Sequence, residues 1–127
     1  MRLTKNFTKR EFKSKDGSRM PDSVLENVKE LALNLQVLRD FLGEPLRINS
    51  AYRSEAHNQS VGGSSKSQHL LGKASDLRVK DLDSEDLYQI IEALIGEGKM
   101  KEGGLGLYNS FVHYDVRGTR ARWNFKK

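Results

Sequence analysis

Two histidines and one aspartate are the residues of this chain whose types and spacing could bind a metal ion. His69 and Asp76 flank Gly72 in "SQHLLGKASD", and His113 lies in the later segment "SFVHYDV". Two neutral imidazoles and one carboxylate suit Zn²⁺ and leave a coordination position for water, which is typical of a catalytic site. A glycine between the first two residues would let the chain turn tightly enough for both to face one ion.

Each of these residues also has an ordinary explanation when it is taken alone. A single histidine in a loop is usually exposed or bonded locally, and a single aspartate in a strand is usually paired or at the surface. The combination with a second histidine favours a metal site. We assign the third histidine, His57 in "SEAHNQS", to a structural or surface position.

Length and composition restrict what else the protein can be. The chain has 127 residues and no cysteine, so we predict one domain without disulfides, thiolate metal ligands or a cysteine nucleophile. The start "MRLTKNFTKREF" lacks the apolar run of a signal peptide, and no stretch reaches membrane-spanning length. We therefore expect a soluble protein made in the cytoplasm, without a membrane span, and a monomer.

The basic charge indicates an anionic environment but does not select a partner. The net charge is +5, and the basic residues cluster at the two ends of the chain. A solvated basic surface explains this pattern, and weak attraction to an acidic polymer is the alternative. No nucleic-acid-binding motif accompanies the charges, and the aromatic residues follow hydrophobic patterns, so we predict no nucleic-acid partner.

Hydrophobic spacing predicts two helices that flank a sheet. Apolar residues recur at steps of three and four between 21 and 42, with Pro45 just after the stop at Gly43. A second helix begins at Asp83 or Ser84 and ends between 96 and 98. The segment 54–66 is predicted as a turn-rich connection with one helical turn, and such loops often carry sites.

The strands are predicted near 46–50, 74–79, 103–108 and 111–117, with a hairpin turn at Asn109 and Ser110. Alternation puts His113 on the same strand face as Asp115 and Arg117. The expected fold class is α+β, with a small antiparallel sheet and flanking helices. We predict a single domain over 1–127, with an N-terminal arm at 1–20, a core at 21–118 and a basic tail at 119–127.

Three sequence blocks resemble a known enzyme family. The blocks "INSAYRSEAHNQSVGG", "SQHLLGKASDL" and "GGLGLYNSFVHYDVRG" look like those of zinc D-alanyl-D-alanine carboxypeptidase-like metallopeptidases. This group is related to VanX-type dipeptidases, phage L-alanyl-D-glutamate endolysins and the hedgehog signalling domain. The resemblance spans about residues 45–118, with the blocks in the family's order, and it implies a hedgehog-like or DD-peptidase-like zinc fold.

The resemblance implies roles for individual residues. His69, Asp76 and His113 would hold Zn²⁺, and Arg53 in "SAYRS" would reach the substrate carbonyl or carboxylate. An arginine after a strand end offers a planar fork for a carboxylate and a fixed positive charge for a developing oxyanion. With Arg53, the predicted substrate-binding residues are Ser50, Tyr52, Asn58, Ser67 and Gln68, for which ordinary turn chemistry is the alternative.

The sequence departs from the family at the general base. Many relatives carry an acid three residues before the last ligand histidine, but this chain has Ser110, which cannot accept a proton at neutral pH. Asp115 is the candidate replacement as a catalytic base. Asp115 could instead orient His113 or bond to Arg53 or Arg117, or it could have a purely structural role.

By resemblance, we predict a zinc-dependent peptidase that hydrolyses peptidoglycan stem peptides, of the D-Ala-D-Ala carboxypeptidase or endopeptidase type. A basic surface fits an anionic cell wall, and the missing export signal favours a phage or prophage hydrolase that reaches the wall by phage-type release or as part of the virion. The alternative is a catalytically inactive zinc-binding protein of the same fold that recognises the wall or has a structural role. The absent acid at Ser110 supports that alternative.

Overall fold

The long helix predicted from apolar spacing is the first major element of the fold. In the computed structural model, which describes residues 1–127, helix α1 spans Asp22–Leu42. Its buried stripe recurs at helical spacing and consists of Val24, Val28, Leu31, Ala32, Leu35 and Leu38. Gly43 ends the helix with a φ of 66° and its N–H bonded to the carbonyl of Arg39, as expected for a left-handed C-terminal cap.

Two further α-helices follow. The loop after the first strand contains a short helix, α2, at Glu55–Ser60, which Ser54 caps by accepting a hydrogen bond from the N–H of His57. Helix α3 spans Ser84–Gly96 with Asp83 at the N-cap, as predicted. None of the helices combines the length and the hydrophobicity that a membrane span requires. Two 3₁₀-helices complete the helical elements, at Lys9–Phe12 and Gln68–Leu71.

Five strands form one sheet in the order β1-β2-β4-β3-β5. The strands are β1 (Arg47–Ser50), β2 (Ala74–Arg78), β3 (Gly104–Leu107), β4 (Val112–Asp115) and β5 (Ala121–Asn124). The first four pair antiparallel at the predicted places, and β3 and β4 form the predicted hairpin.

The expectation of a purely antiparallel sheet is wrong. Strand β5 pairs parallel with β3, so the five-stranded sheet is mixed within an α+β fold. The chain passes from β4 to β5 through Gly118, which has a φ of 91°, and places the strand alongside β3. The segment predicted as a basic tail therefore contributes an edge strand. The segment predicted as an N-terminal arm contributes Phe7 and Phe12 to the core.

Strand register separates an apolar face from a polar face. Leu77, Leu105, Val112 and Tyr114 belong to the single hydrophobic core, together with side chains of α1 and α3. The residues that alternate with them lie on the opposite face. There, one row crosses four strands through cross-strand partners: Asp76, His113, Gly106 and Trp123.

Arg122 links β5 to the rest of the protein through hydrogen bonds and ion pairs. Its guanidinium donates to both carboxylate oxygens of Glu92 at 2.8 Å and to Glu102 at 2.8 Å. It also donates to the carbonyl of Gly103 at 2.6 Å. Its side chain is 15% exposed, so these charge-assisted hydrogen bonds are partly shielded from water. The interactions of Arg122 thus help to stabilise a strand of only four residues.

We expect Arg122→Met to lower the free energy of unfolding by about 1 to 2 kcal/mol, because it removes charge-assisted hydrogen bonds that are only partly exposed. Urea unfolding of both proteins measures the difference. Arg120 reaches the same two glutamates at 3.3 Å but is 60% exposed, so Arg120→Met is the matched control and should have a much smaller effect.

The stabilisation by Arg122 should depend on pH. Hydrogen bonds from Arg122 hold the pKa of Glu92 below its usual value. Burial opposes this at Glu102, but hydrogen bonds from Arg122 and from the Gly103 N–H lower the pKa of that carboxyl as well. The difference between wild type and Arg122→Met should be full above the usual glutamate pKa of about 4.3 and shrink as the pH falls through the lowered values. A difference that grows on acidification would contradict this assignment.

Candidate metal centre

The three predicted ligands meet at one point on the polar face of the sheet. His69 lies on the second 3₁₀-helix, Asp76 on β2 and His113 on β4. One ligand atom from each lies within 4.8 Å of the others, and all three residues are buried. Side chains that are distant in the sequence therefore form a compact group with the donor types that zinc prefers.

Strand register and one glycine turn produce this convergence. Asp76 and His113 are direct cross-strand partners, so their side chains project side by side. Gly72 closes the 3₁₀-helix with a φ of 74°, and a Cβ at this position would lie 2.6 Å from Val24. Only glycine fits this left-handed turn against α1, and the turn brings His69 over β2.

The hydrogen bonding of His69 fixes which ring nitrogen is available. Its Nδ1 lies 2.7 Å from the carbonyl oxygen of Ala51. A carbonyl can only accept, so Nδ1 carries the proton and donates it. In the neutral ring, the lone pair then resides on Nε2, which lies 3.3 Å from Oδ1 of Asp76.

His113 shows the same arrangement with the nitrogens exchanged. Its Nε2 lies 2.7 Å from Oδ2 of Asp115, which accepts the ring proton. Its Nδ1 lies 3.4 Å from the same Oδ1 of Asp76 that faces His69. An oxygen acceptor behind each imidazole is the outer-shell arrangement that orients histidine ligands toward a metal and raises their basicity.

The electrostatics of the group require a positive charge. In their neutral forms the two imidazoles direct lone pairs at a carboxylate oxygen, which is repulsive unless a cation or a proton lies between them. Burial would lower the pKa of His113, but its hydrogen bonds to Asp115 and Asp76 raise it above the usual value. Burial would raise the pKa of Asp76, but hydrogen bonds to His113 and His69 hold it well below its usual range. The two carboxylates beside His113 therefore favour its charged form over its neutral form.

Asp115 is a fully buried carboxylate whose oxygens are saturated. Oδ1 accepts from the backbone N–H of Gly104 at 2.8 Å and from the backbone N–H and Nε of Arg117. Oδ2 accepts from His113 and from Nη2 of Arg117 at 2.8 Å. Burial would raise the pKa of Asp115, but the hydrogen bonds from His113, Arg117 and Gly104 hold it far below its usual range. Such a carboxylate has little affinity for a further proton.

The three candidate ligands line a cleft of about 400 Å³. Asp76 is the only acid in the lining, which also contains cationic and aromatic side chains. The lining residues are Arg53, Gly63, Ser64, Lys66, Ser67, Gln68, His69, Asp76, Tyr108, Phe111, His113, Arg117 and Trp123. This composition favours a ligand with carboxylate or carbonyl groups.

Arg53 reaches into the cleft beside Asp76. Its Nη2 lies 3.5 Å from Oδ2 of Asp76, the oxygen that does not face the imidazoles. Ser50 accepts from its Nε and Asn58 from its Nη1, both at 3.3 Å. The side chain is 16% exposed, so the guanidinium is largely preformed within the cleft.

The other predicted site residues divide between the cleft and its support. Ser67 and Gln68 line the cleft, whereas Ser50 and Asn58 lie behind Arg53. Asn58 is 2% exposed and donates to the carbonyl of Ser64, and Tyr52 is 8% exposed within the hydrophobic core. Ser110 is exposed at the hairpin turn and lies outside the cleft lining, as does His57 on α2.

Sequence reasoning missed the aromatic wall and two cations of the cleft. Tyr108 and Phe111 stack with ring centroids 4.3 Å apart, and Trp123 lies beside His113. Arg117 and Lys66 supply positive charge near the opening. The only available signal for Trp123 was that it is the single tryptophan of the chain. Nothing in its local pattern connects it with the metal ligands.

Comparisons with known proteins identify related sequences. The sequence matches the family described as Peptidase M15 over residues 3–115. It is also 43% identical over 90 residues, or 70% of its length, to a zinc D-Ala-D-Ala carboxypeptidase from Streptomyces albus G. The matched region is 34% of that relative, so the chain spans about a third of its length.

The chain belongs to the Peptidase M15 family. This finding confirms the resemblance drawn from the three sequence blocks. The match ends at residue 115 and includes all three predicted metal ligands.

We expect Zn²⁺ to stabilise the fold, because a ligand that binds only the native state shifts the unfolding equilibrium. At a zinc concentration 100 times the Kd, the free energy of unfolding rises by about 2.7 kcal/mol. Calorimetric melting with zinc and with a chelator measures the gain. His69→Ala should abolish it, and His57→Ala, which alters a histidine outside the group, should retain it. An identical melting temperature of the wild type in zinc and in chelator would contradict a metal centre.

Proposed function

We propose that this protein is a zinc-dependent peptidase that hydrolyses peptidoglycan stem peptides, as a D-Ala-D-Ala carboxypeptidase or an endopeptidase. The observation that carries the proposal is the convergence of two imidazole nitrogens on Oδ1 of Asp76, at 3.3 and 3.4 Å. Each of these imidazoles has its other nitrogen committed to an oxygen acceptor. The arrangement leaves three electron-rich atoms directed at one point inside an accessible cleft.

The donor set fits zinc. Two histidine nitrogens and one carboxylate oxygen are among the common ligands of catalytic zinc, and they leave a position for a water molecule. His69, Asp76 and His113 would hold the ion. When bound, zinc supplies a Lewis acid that activates water and polarises a peptide carbonyl. The zinc of the Streptomyces relative supports the same choice of metal.

Arg53 would bind the substrate. Ser50 and Asn58 hold its guanidinium in the cleft, where it presents fixed N–H donors next to the ligand carboxylate of Asp76. A planar guanidinium binds a carboxylate through two hydrogen bonds and stabilises negative charge that develops on a carbonyl oxygen. Ser67 and Gln68 offer polar contacts along the same wall, while Ser50 and Asn58 act through Arg53.

Asp115 would position His113 and would not act as the general base. Its five hydrogen bonds leave little capacity for a proton, and it does not line the cleft. Its bond to Nε2 keeps the Nδ1 lone pair of His113 directed at the ligand group. Between the two roles that the sequence allowed for Asp115, this geometry supports orientation of the ligand.

The substrate class is supported by the family and by charge. The Streptomyces relative is a zinc D-Ala-D-Ala carboxypeptidase, and the cleft of this chain is lined by cations, which suit the free carboxylates of stem peptides. We extend the proposal to a monomeric phage or prophage hydrolase that acts on the wall after phage-type release or from the virion. Only the basic, compact sequence supports that extension.

One observation favours a second candidate function. The cleft lining contains no carboxylate besides the ligand Asp76, and Ser110 occupies the position of the acid found in many relatives. A protein that binds zinc and recognises wall peptides without cleaving them is consistent with such a cleft. The two candidates differ in turnover, which is directly measurable.

The experiment is incubation of zinc-loaded protein with purified peptidoglycan and with synthetic stem peptides. A peptidase releases new amino groups or free D-alanine, which labelling and mass spectrometry detect. His113→Ala should eliminate the products, and His57→Ala should leave them unchanged. Zinc binding without products across the pH range would exclude the peptidase and favour the binding protein.

Substitution of Asp115 separates its two possible roles. We expect Asp115→Asn to weaken zinc binding by about 10- to 100-fold, since outer-shell partners of ligand histidines have effects of that size. A zinc-competition titration measures the affinity. Excess zinc should restore much of the turnover if Asp115 orients His113. Unchanged zinc affinity combined with lost turnover would instead indicate a general base.

A further inference from the structure

Trp123 occupies the position next to the ligand His113 on the polar face of the sheet. In the row across the strands, Gly106 is the partner of His113 on one side and of Trp123 on the other. Because Gly106 has no side chain, the indole extends over β3 toward the imidazole. A Cβ at this glycine would lie 2.2 Å from Nε1 of Trp123, so the indole fills the space that a side chain at 106 would need.

The indole contacts the ligand ring directly. The ring centroids of Trp123 and His113 are 4.9 Å apart, and the rings are inclined by 50°. His113 is 7% exposed. A bulky aromatic group at this distance limits rotation of the imidazole and keeps water away from one of its sides. Asp115 holds the ring at Nε2, and the indole confines it laterally.

The indole is itself held in place. Its Nε1 donates to the hydroxyl of Tyr108 at 3.0 Å, and Tyr108 stacks on Phe111. Arg117 donates hydrogen bonds to both carboxylate oxygens of Asp115. Its guanidinium carbon lies 5.6 Å from the centroid of the indole ring. These contacts come from the turn between β3 and β4 and from Arg117 just after β4, so the hairpin that carries His113 also orients Trp123.

We propose that Trp123 is a positioning residue of the metal centre and that strand β5 completes that centre in this chain. The family match ends at residue 115, so Trp123 lies outside the matched segment. The inference rests on the proposed metal-dependent function. It assigns to β5 a role in orienting His113 and in forming one wall of the substrate cleft.

The test compares Trp123→Ala with Trp123→Phe. We expect the alanine variant to lose about tenfold or more in zinc affinity and in kcat, and the phenylalanine variant to recover most of both, because a ring restores the lateral contact. Phe41→Ala is the matched control, because Phe41 lies near the end of α1, outside the cleft lining, and is 60% exposed, and it should match the wild type. Wild-type zinc affinity and kcat in a folded Trp123→Ala protein would overturn the proposal. So would a phenylalanine variant as impaired as the alanine variant.

A measurement on the unmodified protein keeps the test independent of folding defects in the variants. Trp123 is the only tryptophan, so fluorescence excited at wavelengths where the four tyrosines absorb little reports on this position alone. We expect Co²⁺, which quenches nearby fluorophores, to reduce the emission until one equivalent is bound, and His69→Ala to abolish the effect. Stoichiometric Co²⁺ binding, seen in the cobalt absorption bands, with unchanged emission would overturn the inference.

The failures of the two proposals are distinguishable. Zinc binding that Trp123→Ala weakens and Trp123→Phe restores, without peptide hydrolysis by the wild type, would overturn the proposed function and leave the role of Trp123 supported. A wild type that binds neither Co²⁺ nor Zn²⁺ would overturn both. Hydrolysis by the wild type with normal kcat and zinc affinity in Trp123→Ala would overturn the inference alone.

Discussion

Five hydrogen bonds on the carboxylate of Asp115 hold the polar side of the sheet together. They join the ligand His113, the side chain and backbone of Arg117 and the backbone of Gly104. An ionised carboxylate without exposure is costly unless its lone pairs are satisfied, and here they are. The buried charge therefore specifies the positions of its partners, and one of those partners is a proposed metal ligand.

The ligand group was predictable because few local rules determine it. The alternation of a strand puts Asp76 and His113 on definite faces, and the hairpin pattern pairs β3 with β4. Gly72 marks the turn that returns His69 toward β2. The apolar spacing of α1 likewise predicted its extent to within a residue. These features depend on neighbours in the sequence, which is where pattern reasoning is strongest.

Other features depend on contacts between distant segments. Strand β5 is short, only partly buried and paired parallel with β3. Neither an alternating apolar pattern nor a hairpin turn therefore indicates this strand in the sequence. The composition of the basic segment 119–127 predicts a solvated tail, because the sequence does not show that Arg122 pairs with Glu92 and Glu102. The burial of Asp115 is equally invisible in the sequence, since its saturation depends on Gly104 and Arg117 in three dimensions. The sequence therefore left its role open between base and positioning residue.

The close approach of Trp123 to Gly106 links two positions that are separated in the chain. Any side chain at 106 would occupy the volume of the indole, and a smaller residue at 123 would leave a void beside His113. The two positions should therefore covary among proteins that share this sheet. A chain with alanine or a larger residue at position 106 should have a compact residue at position 123. Tryptophan at position 123 should accompany glycine at position 106.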